Sequence, residues 1–261
     1  MENEDSILAQ IIKQIKNKKE LAGLDNKVVE NTIFSYLKNK NIQISKLISL
    51  SPHDKKLIIK EIRADLRLLH GRFQASKKSK KNILKKQGIE SLLQAHSSTK
   101  ERIEDYEKIK SVIASLKIKS VLDLGCGLNP IALASQDITY YASDINNEEI
   151  SLIKSFFDQK KIAGDAFIYD LREKDTSGLP SADLCLVFKV LDIFKNKREI
   201  ALHILTRINC KFFLISFSTK KLSGKAMNSP RRLWFESIVK NLSLSSETFE
   251  TSNEIFYLIK K

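Results

Sequence analysis

The sequence predicts an α/β fold in which a parallel, doubly wound sheet follows an all-helical N-terminal domain. Two patterns and one turn lead there. From about residue 118, apolar runs of strand length alternate with helical stretches, the signature of a parallel sheet covered by helices. The first hundred residues instead repeat their apolar side chains at three- and four-residue spacing. A glycine-rich turn, LGCG at 124–127, closes the first apolar run, where open α/β sheets hold their ligands. The expected domains are residues 1–95 and 96–261.

In chain order, Ile7, Leu8, Ile11, Ile12 and Ile15 mark a first amphipathic helix. Asp25 is the expected N-cap of a second, carrying Val28, Val29, Ile33, Tyr36 and Leu37. Ser51-Pro52, a cap followed by a proline at the first helical position, opens a third. That helix turns Ile58, Ile62, Leu66 and Leu69 inward and should stop at Gly71. Its opposite face repeats Lys60, Arg63 and Arg67 as a basic stripe. SKKSKKNILKK, residues 76–86, then places six lysines, Lys77, Lys78, Lys80 and Lys81 among them, in eleven positions. A solvated face accounts for such a run; a surface that tracks phosphates accounts for it and for the neighbouring stripe.

The charge balance favours the second account. The chain carries 45 Lys and Arg against 31 Asp and Glu, a formal net charge of +14. Residues 1–95 hold 20 basic and 10 acidic side chains, so most of the excess sits in about a third of the chain. A biased genome would enrich lysine everywhere, whereas concentration in one segment points to a polyanion such as nucleic acid. Other classes are disfavoured. No apolar stretch is long enough for a bilayer span, and MENEDSILAQ does not resemble a secretory leader. The three cysteines, Cys126, Cys185 and Cys210, form no CxxC pair, and the four histidines form no HExxH. No disulfide scaffold, metal site or membrane association is therefore expected, and the expected location is cytoplasmic.

The strands are expected at 120–124, 139–145, 166–171, 183–189 and 212–217, with helices near 147–160, 192–207 and 230–241 and a final strand or hairpin. Within VLDLGCGLNP, Gly125 and Gly127 flank Cys126, and Pro130 suits a first helical turn. Asp144 ends the second strand, 19 residues beyond Gly125, at the distance of a carboxylate that accepts hydrogen bonds from ribose hydroxyls. An N-cap for the following helix is the alternative role. Together the loop and the acidic strand tip indicate an adenosine-containing ligand. Asn129-Pro130 stands where a dinucleotide fold has its third glycine, so an S-adenosylmethionine site, with no pyrophosphate to cradle, fits better than a dinucleotide site. Asp170, at the third strand's tip, would meet the adenine amino group, with Leu171 beside it; a solvated turn is the alternative.

HSSTKER (96–102), LDLGCGLNPIAL (122–133), YYASDI (140–145), FKVL (188–191), and ISF followed by TKKLSGK and WFE (215–236) form an ordered set. The set resembles the aminoglycoside-resistance 16S ribosomal RNA methyltransferases, the Arm/Rmt group. The resemblance implies a class I S-adenosylmethionine-dependent methyltransferase fold and methylation of N7 of guanine 1405 in the decoding region of the small (30S) ribosomal subunit. It implies that Arg102 pairs with the methionine carboxylate of the cofactor, that Gly125, Cys126 and Gly127 pass beneath the methionine portion, and that Asp144 and Ile145 hold the ribose. Asp170 with Leu171 would face adenine, Phe188 would also contact the cofactor, and Lys189, Lys220 and Lys225 would lie near the target RNA. Ser98 and Glu101 also read as a capping box for the helix with Ile103, Tyr106, Ile109, Val112 and Ile113. Asp192 after FKVL and Ser218 after ISF depart from the family, which commonly has proline at both places.

Guanine N7 bears a lone pair and no proton, so no catalytic acid or base is expected, and Cys126 reads as a small loop residue, not a nucleophile. Trp234 reads as a core anchor. Two alternatives stay open at this point: methylation of another ribosomal nucleotide, such as an adenine N1, or an assembly factor that binds RNA with this fold and catalyses nothing.

Overall fold

In the computed structural model, which describes residues 4–70, 93, 97–220 and 224–261, the first helices begin where the sequence places their caps. The Asp25 carboxylate accepts the Lys27 N–H at 2.8 Å and opens α2, Asn26–Asn39. The Ser51 hydroxyl accepts the Asp54 N–H at 3.1 Å and opens α4, Pro52–Leu69, with Pro52 in its first turn. With α1, Glu4–Lys16, and the single turn α3, Lys46–Ser49, these helices enclose Ile15, Leu21, Leu24, Val29, Ile33 and Ile62, all buried. Each such side chain contributes about 2 kcal/mol by leaving water. The tetrapeptide Ile145–Glu148 belongs to this unit, which otherwise comprises Met1–Gln74. The Asp25 N–H donates to the Ile145 carbonyl at 3.0 Å, and the Asn146 amide meets the buried His70 ring at 2.7 Å.

The second unit, 75–144 and 149–261, is built on one seven-stranded sheet of order β3-β2-β1-β4-β5-β7-β6. Its strands are β1, Ser120–Leu124; β2, Thr139–Asp144; β3, Gly164–Ile168; β4, Ala182–Phe188; β5, Cys210–Ser218; β6, Ser245–Glu250; and β7, Glu254–Lys260. The first five run parallel, and β7 and β6 form an antiparallel hairpin with β7 against β5. The expected terminal hairpin is thus present, and its last strand lies inside the sheet while β6 takes the edge. Strand order reverses between β1 and β4, which makes the carboxyl ends of these strands the ligand crevice of the architecture. The core under the sheet contains Val121, Ala142, Ile153, Leu184, Leu214 and Phe256.

The helices of this unit are α5, Ser97–Arg102; α6, Tyr106–Ser115; α7, Asn129–Leu133; α8, Asn147–Lys160; α9, Lys197–Arg207; and α10, Leu233–Asn241. Three expectations shift. The long helix through Ile103 to Ile113 is interrupted by a 3-10 turn at Ile103–Asp105. The helix expected from 192 starts at Lys197, after a separate 3-10 turn at Leu191–Ile193. β3 starts at Gly164, opposite Tyr140, and ends at Ile168, so Asp170 and Leu171 lie in the turn beyond it. Gly71, Lys77, Lys78, Lys80, Lys81 and the Ser98 side chain lie outside the described residues. Among those described, no helix is long and apolar enough to cross a membrane, and no cluster of His, Cys, Asp and Glu could hold a metal ion.

Candidate functional site

The turn after β1 is built on two left-handed glycines, Gly125 at φ +65° and Gly127 at φ +52°. The Cys126 N–H between them donates to the Ser143 carbonyl at 2.9 Å, and the Gly127 N–H to the Asp144 carboxylate at 3.0 Å. The loop is therefore stitched to the end of β2, and Asp144 is buried as it holds the turn. The space of a Gly125 side chain is already taken: a Cβ there would stand 2.9 Å from Val190 Cγ2. Steric need at this glycine comes from the chain's own Val190 as well as from backbone conformation. Cys126 is sealed in, and burial pushes its thiol well above the ordinary range, which removes it as a thiolate nucleophile.

Arg102 is the least expected feature of the site. Its side chain is 1% exposed, and its Nε donates to Glu254 Oε1 at 2.6 Å. Its Nη1 donates to Asn129 Oδ1 at 2.7 Å, and the guanidinium lies over the Phe188 ring at 5.1 Å. Glu254 is held in turn by the Ser216 hydroxyl at 2.6 Å, and Asn129 by the Tyr106 hydroxyl at 2.9 Å. Burial works most strongly against the arginine's charge, but Glu254 and Tyr106 together outweigh it and raise its pKa above the ordinary value. Of its nitrogens, Nη2 alone has no hydrogen-bond partner among the described residues. Asn129 and Ser216 lie inside quoted motifs without standing out there, and Tyr106 and Glu254 are neighbours of Arg102 that no site motif indicates. Only the place of Asn129 at the first position of α7, directly after the glycine turn, hints at a role.

A second group without a full set of partners is Asp123, on β1. Tyr140 donates its hydroxyl to Oδ2 at 2.8 Å, whereas Oδ1 is buried without a partner. Burial raises this carboxyl to about 7, with the neighbouring Asp144 adding to the rise and Tyr140, Arg102 and the Asn129 side chain opposing it. Asp170 is also buried, and Arg172 grips it through Nε at 2.9 and 3.0 Å, while its carbonyl accepts the Glu173 N–H. Leu171 is buried beside it. Ile145 packs against the apolar core of the helical unit.

The basic residues divide into engaged and exposed ones. Lys189, at φ +58° just past β4, forms an ion pair with Glu101. Arg63 reaches the last carbonyls of α1 at Gln14 and Ile15, satisfying acceptors left open at a helix end. Arg67 forks onto Glu20 through Nε at 2.9 Å and Nη2 at 2.8 Å. Of the predicted stripe, Lys60 is exposed, whereas Arg63 and Arg67 are half-buried in these contacts. Lys220 and Lys225 are exposed.

Near them, Arg232 ties three segments together. Its Nε donates to Asp192 at 2.9 Å, its Nη2 to the Ser218 carbonyl at 2.9 Å, and its own N–H to the Tyr257 hydroxyl at 2.9 Å. The guanidinium lies over Phe217 at 5.4 Å, within an edge-to-face cluster of Phe217, Trp234, Phe235 and Tyr257. Trp234, expected as a core anchor, is only half-buried at the edge of this cluster, with Lys197 over its ring at 5.1 Å, and Phe217, Phe235 and Tyr257 are its buried members.

A family model described as ribosomal RNA methyltransferase (FmrO) matches residues 74–258. A curated 16S rRNA (guanine(1405)-N(7))-methyltransferase of Serratia marcescens is 29% identical over 181 residues, 66% of this chain and 70% of that protein. The solved 16S rRNA methylase ArmA is 31% identical, with a TM-score of 0.58 over 71% of this chain and 99% of its own. The methyltransferase RmtF, solved with S-adenosyl-L-homocysteine, shares the fold at a TM-score of 0.78 and 21% identity, covering 98% of this chain and 99% of its own.

Proposed function

Since the chain belongs to the FmrO family of ribosomal RNA methyltransferases, we propose that it transfers a methyl group from S-adenosylmethionine to N7 of guanine 1405 in 16S rRNA of the small ribosomal subunit. In a cell that carries it, the change protects the decoding region from aminoglycosides. The observation that carries the reading is the pair of unsatisfied buried groups at the head of the sheet. Arg102 Nη2 is a cationic donor without an acceptor, and Asp123 Oδ1 is a carboxylate oxygen without a donor. A zwitterionic amino acid, carboxylate and ammonium together, is the complement of that pair. The methionine portion of S-adenosylmethionine is such a group, and the two left-handed glycines and the Asp144 carboxylate suit the rest of a nucleoside. Glycine loop, buried donor and buried acceptor fit this cofactor.

When bound, the cofactor supplies an electrophilic methyl group on a sulfonium centre. Guanine N7 attacks with an existing lone pair, so no side chain need take a proton. The protein's part is alignment and exclusion of water. Arg102 and Asp123 would fix the amino-acid end, Asp144 the ribose, and Leu171 and Phe188 the apolar walls. Reaching N7 inside a folded helix calls for extruding the base, and the loops after β4 and β5, held by Arg232, flank the place where it would enter. The basic helical unit, residues 1–95 on the sequence boundary, would add phosphate contacts that recognise the subunit's shape.

The decisive experiment incubates the protein with radiolabelled S-adenosylmethionine and purified small subunits, then maps the modified nucleotide. Label at guanine 1405 is expected, and it should fall at least tenfold in Asp144→Ala and Arg102→Ala, whose calorimetric affinity for S-adenosylhomocysteine should fall with it. Label at another nucleotide would replace the proposed target.

A further inference from the structure

We propose that Glu254 is a positioning residue for the cofactor: it aims Arg102 at the methionine carboxylate and so makes the enzyme selective for nucleosides that carry an amino acid. The inference rests on the reading of the site given above. An arginine and a glutamate buried only for stability would pair as two forks, each oxygen taking one nitrogen. Here the fork is split. Glu254 Oε1 takes Nε at 2.6 Å, while Oε2 is given to the Ser216 hydroxyl at 2.6 Å. Asn129 takes Nη1, and Phe188 covers one face of the guanidinium. Three sides of the group are thus fixed, and Nη2 is left buried without a partner. An unsatisfied donor on a buried cation is costly, and a ligand carboxylate would relieve it. The arrangement selects by the same token: a nucleoside thioether lacking the amino acid would leave Nη2 as it is.

Among the described residues Glu254 is the carboxylate hydrogen-bonded to the arginine, while Asp123 feels its charge without bonding it, so Nη2 is left for a ligand carboxylate. Glu254 stands at the start of β7, beyond the short motifs quoted above, so the C-terminal hairpin takes part in cofactor choice.

Calorimetric affinities for S-adenosylhomocysteine and for 5′-methylthioadenosine, which lacks the amino acid, test this. In Glu254→Ala, affinity for S-adenosylhomocysteine is expected to fall about tenfold or more, the value of a charge-assisted hydrogen bond, while affinity for 5′-methylthioadenosine stays within twofold. Glu254→Asp, which keeps the charge but withdraws the acceptor by one methylene, should show the same selective loss and serves if the alanine variant does not fold. Glu254→Gln, which keeps an acceptor for Nε, should recover most of the affinity. An equal loss for both compounds, or no loss for either, overturns the positioning role while leaving the proposed function standing. Wild-type protein that binds neither compound overturns both.

Discussion

Asp123 shows how much a single buried side chain can govern. Burial raises its carboxyl to about 7, whereas an unfolded chain leaves an aspartate near 4. Between those values the folded protein holds a proton that the unfolded chain has lost, so stability falls as pH rises through that window and the full cost is present above 7. The cofactor-free protein should therefore lose stability in chemical denaturation between pH 4 and 7, and Asp123→Asn should flatten that decline. A ligand ammonium would reverse the shift. Binding of S-adenosylhomocysteine at pH 7 should then release a fraction of a proton, seen as a heat that depends on the buffer's ionisation enthalpy. A buffer-independent heat would remove Asp123 from the cofactor site. At this scale the sequence was partly legible. Arg102, Gly125, Gly127 and Asp144 stand out by motif and spacing. Asn129 and Glu254 do not, because 27 and 152 residues separate them from Arg102 and only the sheet brings them near. Arg63 and Arg67 illustrate the opposite error: helical spacing puts them on one face but does not say that α1 and Glu20 meet it.

The elements at the sheet's carboxyl edge depend on one link. Asp192 and Ser218, the two positions where this chain lacks the proline common in the related enzymes, both accept from Arg232, Asp192 through its carboxylate and Ser218 through its backbone carbonyl, beside the Pro230 carbonyl. Hydrogen bonds to a guanidinium fix here the loops after β4 and β5. Arg232→Ala should leave Asp192 with Lys197 alone and cost about 3 kcal/mol in urea unfolding. Methyl transfer to small subunits should drop about tenfold while S-adenosylhomocysteine affinity stays within twofold. A folded variant with an unchanged transfer rate would show that those loops need no fixing. Most element positions were readable because strands and helices here follow apolar period closely. The exceptions have local causes: the helix expected from 192 is delayed by the 3-10 turn that delivers Asp192 to Arg232, and β3 is displaced because its register is set by pairing with Tyr140 through Asp144 rather than by its own apolar run.

For the molecule as a whole, charge is the property most easily counted and least easily placed. The excess in residues 1–95 is plain from composition, yet Arg63 and Arg67 serve the helical unit itself. The lysines of 77–81 then become the proposed phosphate contacts. Changing Lys77, Lys78, Lys80 and Lys81 to glutamine should weaken binding to small subunits and reduce the slope of log affinity against log salt by up to about 3, with cofactor affinity unchanged. An unaltered slope would exclude these side chains from the RNA interface. The long reach of the Arg102–Glu254 pair carries a consequence for synthesis. At about 5–20 residues per second, translation delivers the glutamate many seconds after the arginine has emerged. Throughout that interval the nascent polypeptide has a guanidinium with no counter-charge to bury against. On the proposed reading of the site, a chain still being made cannot complete the crevice for the methyl donor, and its activity would wait until the β6–β7 hairpin has been translated.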